Sequence, residues 1–438
     1  MGEAGRGRRL VARTALTLLA LAFATDARAT CTLVAGQSLF ATGGSTCAAS
    51  GPTYDPATGP ALWSDGVGSS PPTPPPASTI NLTAPGITIT TMDTLSFGLY
   101  ATDGGVIAGT SANGLGGVTT EGATSPAIFA DGAGSSITVT LIAPKSGSTV
   151  LTEADDSTGV LSAFGSSVTL TGGSVTTEGN GAAGLLAFFG SISATGTKIT
   201  TEGTNDGAGI QSYGIEVTGT GASVTLTNGA VMTSGVGSDG VVAEGSGTAT
   251  LNGTMTTLVT TTNDRAVGLF AVGGATIDAT APITISTGST DGSTGAGADG
   301  VYASGTSSST PATPSTITIE GLASITTSGD SAVGVQADLG GQVTLSGGST
   351  ATPPNTVTTT GAGAIGLYAL SGGTIDISGP TKVSTSGATS TTTGLVAYGV
   401  NANGLGSTVT LGAATSVTTT GPAPLGSTPT GSTLITAD

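Results

Sequence analysis

From about residue 78 to residue 420, apolar and polar positions recur in one short cycle. Its clearest element is Gly-aliphatic-x-(Ala or Ser). It reads Gly98-Leu99-Tyr100-Ala101, Gly184-Leu185-Leu186-Ala187, Gly268-Leu269-Phe270-Ala271, Gly300-Val301-Tyr302-Ala303 and Gly366-Leu367-Tyr368-Ala369 among eleven copies. Gly209-Ile210-Gln211-Ser212 and Gly394-Leu395-Val396-Ala397 are read as two more, and Ala127-Ile128-Phe129-Ala130 has Ala in the Gly place. Each copy is followed by apolar-x-apolar, as in Val168-Thr169-Leu170, and then by apolar-Thr/Ser-Thr, as in Val175-Thr176-Thr177. The alternation has period 2 throughout, which predicts strands of three to five residues and no helix.

Strands this short cannot bury a face alone. Stacking equivalent strands on successive turns pairs their backbones and builds one continuous core. The pattern therefore predicts an all-β parallel β-helix, a β-solenoid of about eleven to twelve three-strand turns. A many-stranded sandwich would not hold three patterns in phase over eleven cycles. Leu185, Ile210, Val241 and Leu269 belong to an inward column, with Ala187, Ser212, Ala243 and Ala271 beside it, and Gly suits the corner. The x residue then points outward, which puts Tyr100, Phe129, Phe270, Tyr302 and Tyr368 in one column. That column is a candidate interaction stripe. The alternatives are that loops fold over it, or that aromatic stacking only stabilises the ladder.

The ends of the chain break the cycle. Residues 30–70 hold both cysteines and the only Trp, and read as an N-terminal cap; the Pro-rich run at 71–77 reads as a linker and 421–438 as a flexible end. Residues 1–29 combine Arg6, Arg8, Arg9 and Arg13, an apolar run and Ala27-Arg28-Ala29, the succession of a secretory signal peptide cleaved after Ala29. Without them, the cations Lys145, Lys198, Arg265 and Lys382 face 24 acids, a net charge of −20. That balance argues against nucleic acid as a partner. In an exported chain, Cys31 and Cys47 are expected to form a disulfide; a redox or metal site would need CxxC spacing or a third ligand.

The succession of "GLYA", "VTL" and "GGSVTTEG" segments resembles the passenger domains of autotransporters, the pertactin-like family of Gram-negative bacteria. The resemblance spans about residues 78–420 and implies a right-handed β-helix displayed on the cell surface or outer membrane, or released. It also implies adhesion and a β-barrel translocator as partner. No run of alternating ten-residue strands that could form such a barrel occurs within this sequence. A surface ligand or a second copy of the chain completes the expected partners.

Gly makes up 75 of 438 residues, far above the roughly 7% of ordinary domains, and histidine is absent. That removes Ser-His-Asp and Cys-His relays and the commonest zinc ligand. The chain is read as a non-enzyme with no cofactor, no metal site and no catalytic residue. Three alternatives have residues behind them. Glu121, Glu178 and Glu202 share one slot, and Glu178 and Glu202 on adjacent turns have the separation of a glycosidase pair, so a carbohydrate-active β-helix is the second reading. The same carboxylates suggest a weak cation site. Outward Thr358, Thr360, Thr418 and Thr420 suggest an ice-binding face, interrupted by Ser384 and Ser386.

Overall fold

The chain is represented by a computed structural model that describes residues 30–34, 38–56, 58–66, 77–142, 149–204, 211–263, 265–288, 298–305, 313–348, 354–390, 394, 396–420 and 435–437. The leader-like residues 1–29, most of the Pro-rich run, Lys145 and residues 421–434 lie outside them. No helix occurs among the described residues.

The molecule is a right-handed parallel β-helix whose three sheets contain 14, 13 and 14 strands stacked in chain order. Sheet A is built from the Gly-aliphatic-x-Ala segments, sheet B from apolar-x-apolar and sheet C from apolar-Thr/Ser-Thr. Within each sheet every strand pairs with its equivalent one turn away. Thus Leu185 lies beside Val160 and Ile215 in sheet A, and Val224 beside Ile192 and Ala249 in sheet B. At about 4.8 Å per turn, the thirteen turns from Ser38 to the last strand of sheet A rise about 60 Å.

The inward columns form a single core. Leu99, Ile128, Val160, Leu185, Ile215 and their successors are fully buried, as are the Ala residues two places on. The motif glycines are needed for space. A Cβ on Gly98, Gly184, Gly214 or Gly268 would lie 2.2–2.4 Å from a methyl of the sheet C valine or isoleucine behind it, a distance that no real contact permits. None of these four has a positive φ, so close approach alone explains the glycine.

A second inward column, at the end of each sheet C strand, is threonine. Thr91, Thr120, Thr152, Thr177, Thr201 and Thr233 are buried. Thr152 Oγ1 donates to the Ser157 carbonyl at 2.6 Å, and Thr233 Oγ1 to that of Ser238 at 2.6 Å. A buried carbonyl without a donor is costly; these hydroxyls satisfy the corner where the chain turns from sheet C into sheet A.

Four sequence expectations need correction. The solenoid starts at Ser38 rather than at 78: Leu39–Ala41 and Leu62–Ser64 are already stacked in sheet A, leading into Leu99–Ala101. Only Thr30–Val34 caps the end, as an antiparallel strand against Ser38–Thr42. This gives thirteen turns instead of eleven to twelve; Pro and Trp in residues 30–77 hid the cycle without breaking it. The copies at Gly209 and Gly394 are displaced: Gly214-Ile215-Glu216-Val217 and Gly399-Val400-Asn401-Ala402 occupy the ladder. A Gly-aliphatic pair five residues before each true frame, at Gly209 and Gly394, imitates the motif, and Val217 stands where Ala or Ser is usual. Within the expected flexible end, Ile435–Ala437 pairs with Val409–Leu411.

Candidate functional site: the outer faces of sheets A and B

The Cys31 and Cys47 sulfurs are bonded, with the Cα atoms 5.6 Å apart. The bond ties the capping strand to the first strand of sheet B, so it is a structural staple at the edge of the ladder.

The expected aromatic stripe is one ladder column, but not a bare one. Phe40, Trp63, Tyr100 and Phe129 stack on successive turns with centroids 5.1–6.0 Å apart, and Phe270 lies 5.1 Å from Tyr302. Phe129 is 2% exposed and Phe270 4%; Tyr100, Tyr302 and Tyr368 are half-buried. Where it is apolar, as at Phe97, Ala183, Tyr213 and Val267, the residue before the motif glycine folds over the column. Phe97 covers Tyr100 and Phe129, while Tyr213 and Val267 pack with Val242 and Phe270. Glu216, Gln336 and Asn401 then interrupt it. The continuous exposed apolar stripe is therefore corrected to two covered clusters. Burial holds the Tyr100 phenol up at about 12, with Thr102 hydrogen-bonded to it and Asp131, Asp103 and Asp65 nearby. Burial and Asp103 likewise raise the Asp131 carboxyl.

Glu121, Glu178 and Glu202 stand on one corner, and the ladder adds Glu153, which the sequence pattern missed because Val150-Leu151-Thr152 follows a loop that displaces the count. The amides of Glu121, Glu153, Glu178 and Glu202 each bond the preceding turn's threonine carbonyl, so the four occupy successive rungs. All four side chains are exposed. Burial, then Glu121 and Glu178, raise the Glu153 carboxyl. No group of three His, Cys, Asp or Glu side chains among the described residues is arranged to hold a metal ion. Thr358 and Thr418 face outward on sheet C with Ser384 between them.

Sheet B presents a face that the sequence reading passed over. Five consecutive strands, Ser136–Thr140, Ser167–Thr171, Ser191–Thr195, Ser223–Thr227 and Thr248–Asn252, alternate outward and buried residues. Every first, third and fifth position points out, and all are Ser or Thr except Asn252. The register is unshifted, so Thr138, Thr169, Ser193, Thr225 and Thr250 form one column. The signal was present in the pentapeptides "SITVT", "SVTLT" and "SISAT", whose polar positions spell the outer face once their apolar ones are placed inside.

At the A-to-B corner beside this face stand Phe164, Phe188 and Phe189. Phe164 and Phe189 are 52% and 43% exposed. Their rings are parallel within 6°, with Phe188 edge-on to both. Both have left-handed backbones, φ 50° and 54°, which bulky residues seldom adopt. The same corner on neighbouring turns is Gly132, Gly219, Gly245 and Gly273. Gly219 is needed there, since its Cβ would meet the Phe189 ring at 2.6 Å.

Comparison with protein-family models, curated proteins and solved structures finds no match to this chain.

Proposed function

We propose that this chain is an exported, non-catalytic rod displayed at the cell surface of a Gram-negative bacterium, in the manner of an autotransporter-like passenger, and that its work is structural and adhesive. The observation that supports this reading is the ladder of strands stacked in chain order, which runs outer columns along the rod from turn to turn and so offers extended surfaces rather than a single cleft. The leader-like residues 1–29 and the stapled Cys31–Cys47 pair agree with an oxidising, extracytoplasmic setting.

The test uses intact cells that produce the full chain. A protease unable to cross the outer membrane is expected to cleave it, and deletion of the gene is expected to lower adherence. A chain cut only after the outer membrane is permeabilised would overturn display. Unchanged adherence after deletion would overturn the adhesive role.

A further inference from the structure

We propose that the hydroxyl face of sheet B and the phenylalanine corner beside it form one binding surface for a neutral polysaccharide. This names the partner class of the adhesive rod and rests on that reading.

Charge selects the occupant. The chain beyond residue 29 has 24 acids against four cations, so anionic polymers are repelled by its overall field. A cationic partner would be drawn to the exposed glutamate corner. The sheet B face is different: its fifteen outward positions over five turns carry no charge. Charge returns to the same column only beyond it, at Asp278 and Asp376. An uncharged surface rich in hydroxyls offers donors and acceptors together, which suits a neutral polyol.

The phenylalanines supply the second half. Phe164 leads into Ser167 and Phe189 into Ser191, so the rings border the hydroxyl columns on two adjacent turns. Their faces carry the negative side of the π quadrupole, which receives the polarised C–H face of a pyranose. Glycine occupies this corner on neighbouring turns, and the fold does not require exposed rings in a left-handed backbone. Asp103, Leu339 and Ser371 take the same left-handed corner elsewhere on the ladder, so the backbone belongs to the fold, and what sets this place apart is two large exposed rings side by side on adjacent turns. The columns run along the rod for about 20 Å at the strand spacing, long enough for several sugar units in a row.

The experiment uses the purified full chain, pulled down on cellulose, chitin and an insoluble β-1,3-glucan, with alginate as the anionic control. Retention on at least one neutral polymer, and none on alginate, is expected. The double change Phe164→Gly and Phe189→Gly installs the residue that neighbouring turns use, so melting and circular dichroism should be preserved while retention falls about tenfold. Thr169→Lys with Thr225→Lys, on the bare face, should weaken it similarly. No retention on any neutral polymer, or retention unchanged in both variants, overturns the proposal. So does light scattering that shows a wild-type dimer made monomeric by the glycine pair, which would assign the corner to a second copy. Failure here with adherence of intact cells preserved would leave the rod reading standing, whereas loss of surface display would leave this pull-down unaffected.

Discussion

The outer faces of sheets A and B are made by the same pleat on the same turns, yet they end up opposite in character. Sheet A places leucine and aromatic side chains outward and then covers them; Leu186 and Val242 are wholly buried. Sheet B places serine and threonine outward and leaves them bare. The difference lies in what enters each strand. Sheet A is entered through a corner whose last residue before the motif glycine is Phe97, Ala183, Tyr213 or Val267, and that residue folds back over the column. Sheet B is entered through tight turns, most of them at glycine, and even where Phe164 and Phe189 stand at that corner the rings stay exposed beside the strands and leave the outer Ser and Thr uncovered. An apolar outer column in a solenoid is thus a second layer of core, and the accessible surface is the polar one.

The largest expected effect tests the shared interior. Leu269→Asp or Leu367→Asp places an unpaired carboxylate where the side chain is fully buried. The loss expected in denaturant melts is about 3–5 kcal/mol. A loss below about 1 kcal/mol would mean that the columns can open locally.

The next test separates the two outer faces. Phe129→Ser and Phe270→Ser empty covered clusters and should each cost about 3 kcal/mol. Thr225→Ser on the bare face should change stability by less than about 0.5 kcal/mol. Equal costs for the two kinds of change would erase the distinction between a covered and a bare face. An intermediate case is Thr152→Val. It keeps the shape but removes the 2.6 Å hydrogen bond to the Ser157 carbonyl, with an expected loss of about 1 kcal/mol.

How far the sequence reached follows the same division. The interior was legible because stacking makes each inward position repeat: Leu185, Val241 and Leu269 could be assigned to one column from spacing alone. Covering was not legible, because it depends on how the loop before each glycine folds back, and Phe97 or Tyr213 carries no periodic mark. Two frames were misplaced for a related reason. A Gly-aliphatic pair at Gly209 or Gly394, five residues before the true frame, imitates the motif, and only backbone pairing decides between them. The hydroxyl lattice was written in the sequence but attention to apolar positions passed over it. The left-handed phenylalanines had no sequence signal, since a φ of 50° is read only from the backbone.

The smallest expected effect concerns the corner on the other side of sheet A, where glutamates share one column. Burial and the neighbouring Glu121 and Glu178 raise the Glu153 carboxyl above its ordinary 4.5. The folded chain therefore binds this proton more tightly than the unfolded chain, and Glu153 lowers stability as pH rises through and above 4.5. Glu153→Gln removes that charge. It should stabilise the rod at neutral pH, and the gain should vanish below about pH 4, where both states are protonated. Because the side chain is exposed and well solvated, the gain is only about 0.3 kcal/mol, and added salt should shrink it further. Melts of the variant and wild type across this range are the measurement. A gain that persists at low pH would place its origin in packing rather than in repulsion along the glutamate ladder. A loss at neutral pH would mean that the four carboxylates are held together by a bound cation, reversing the sign expected for bare like charges on adjacent rungs.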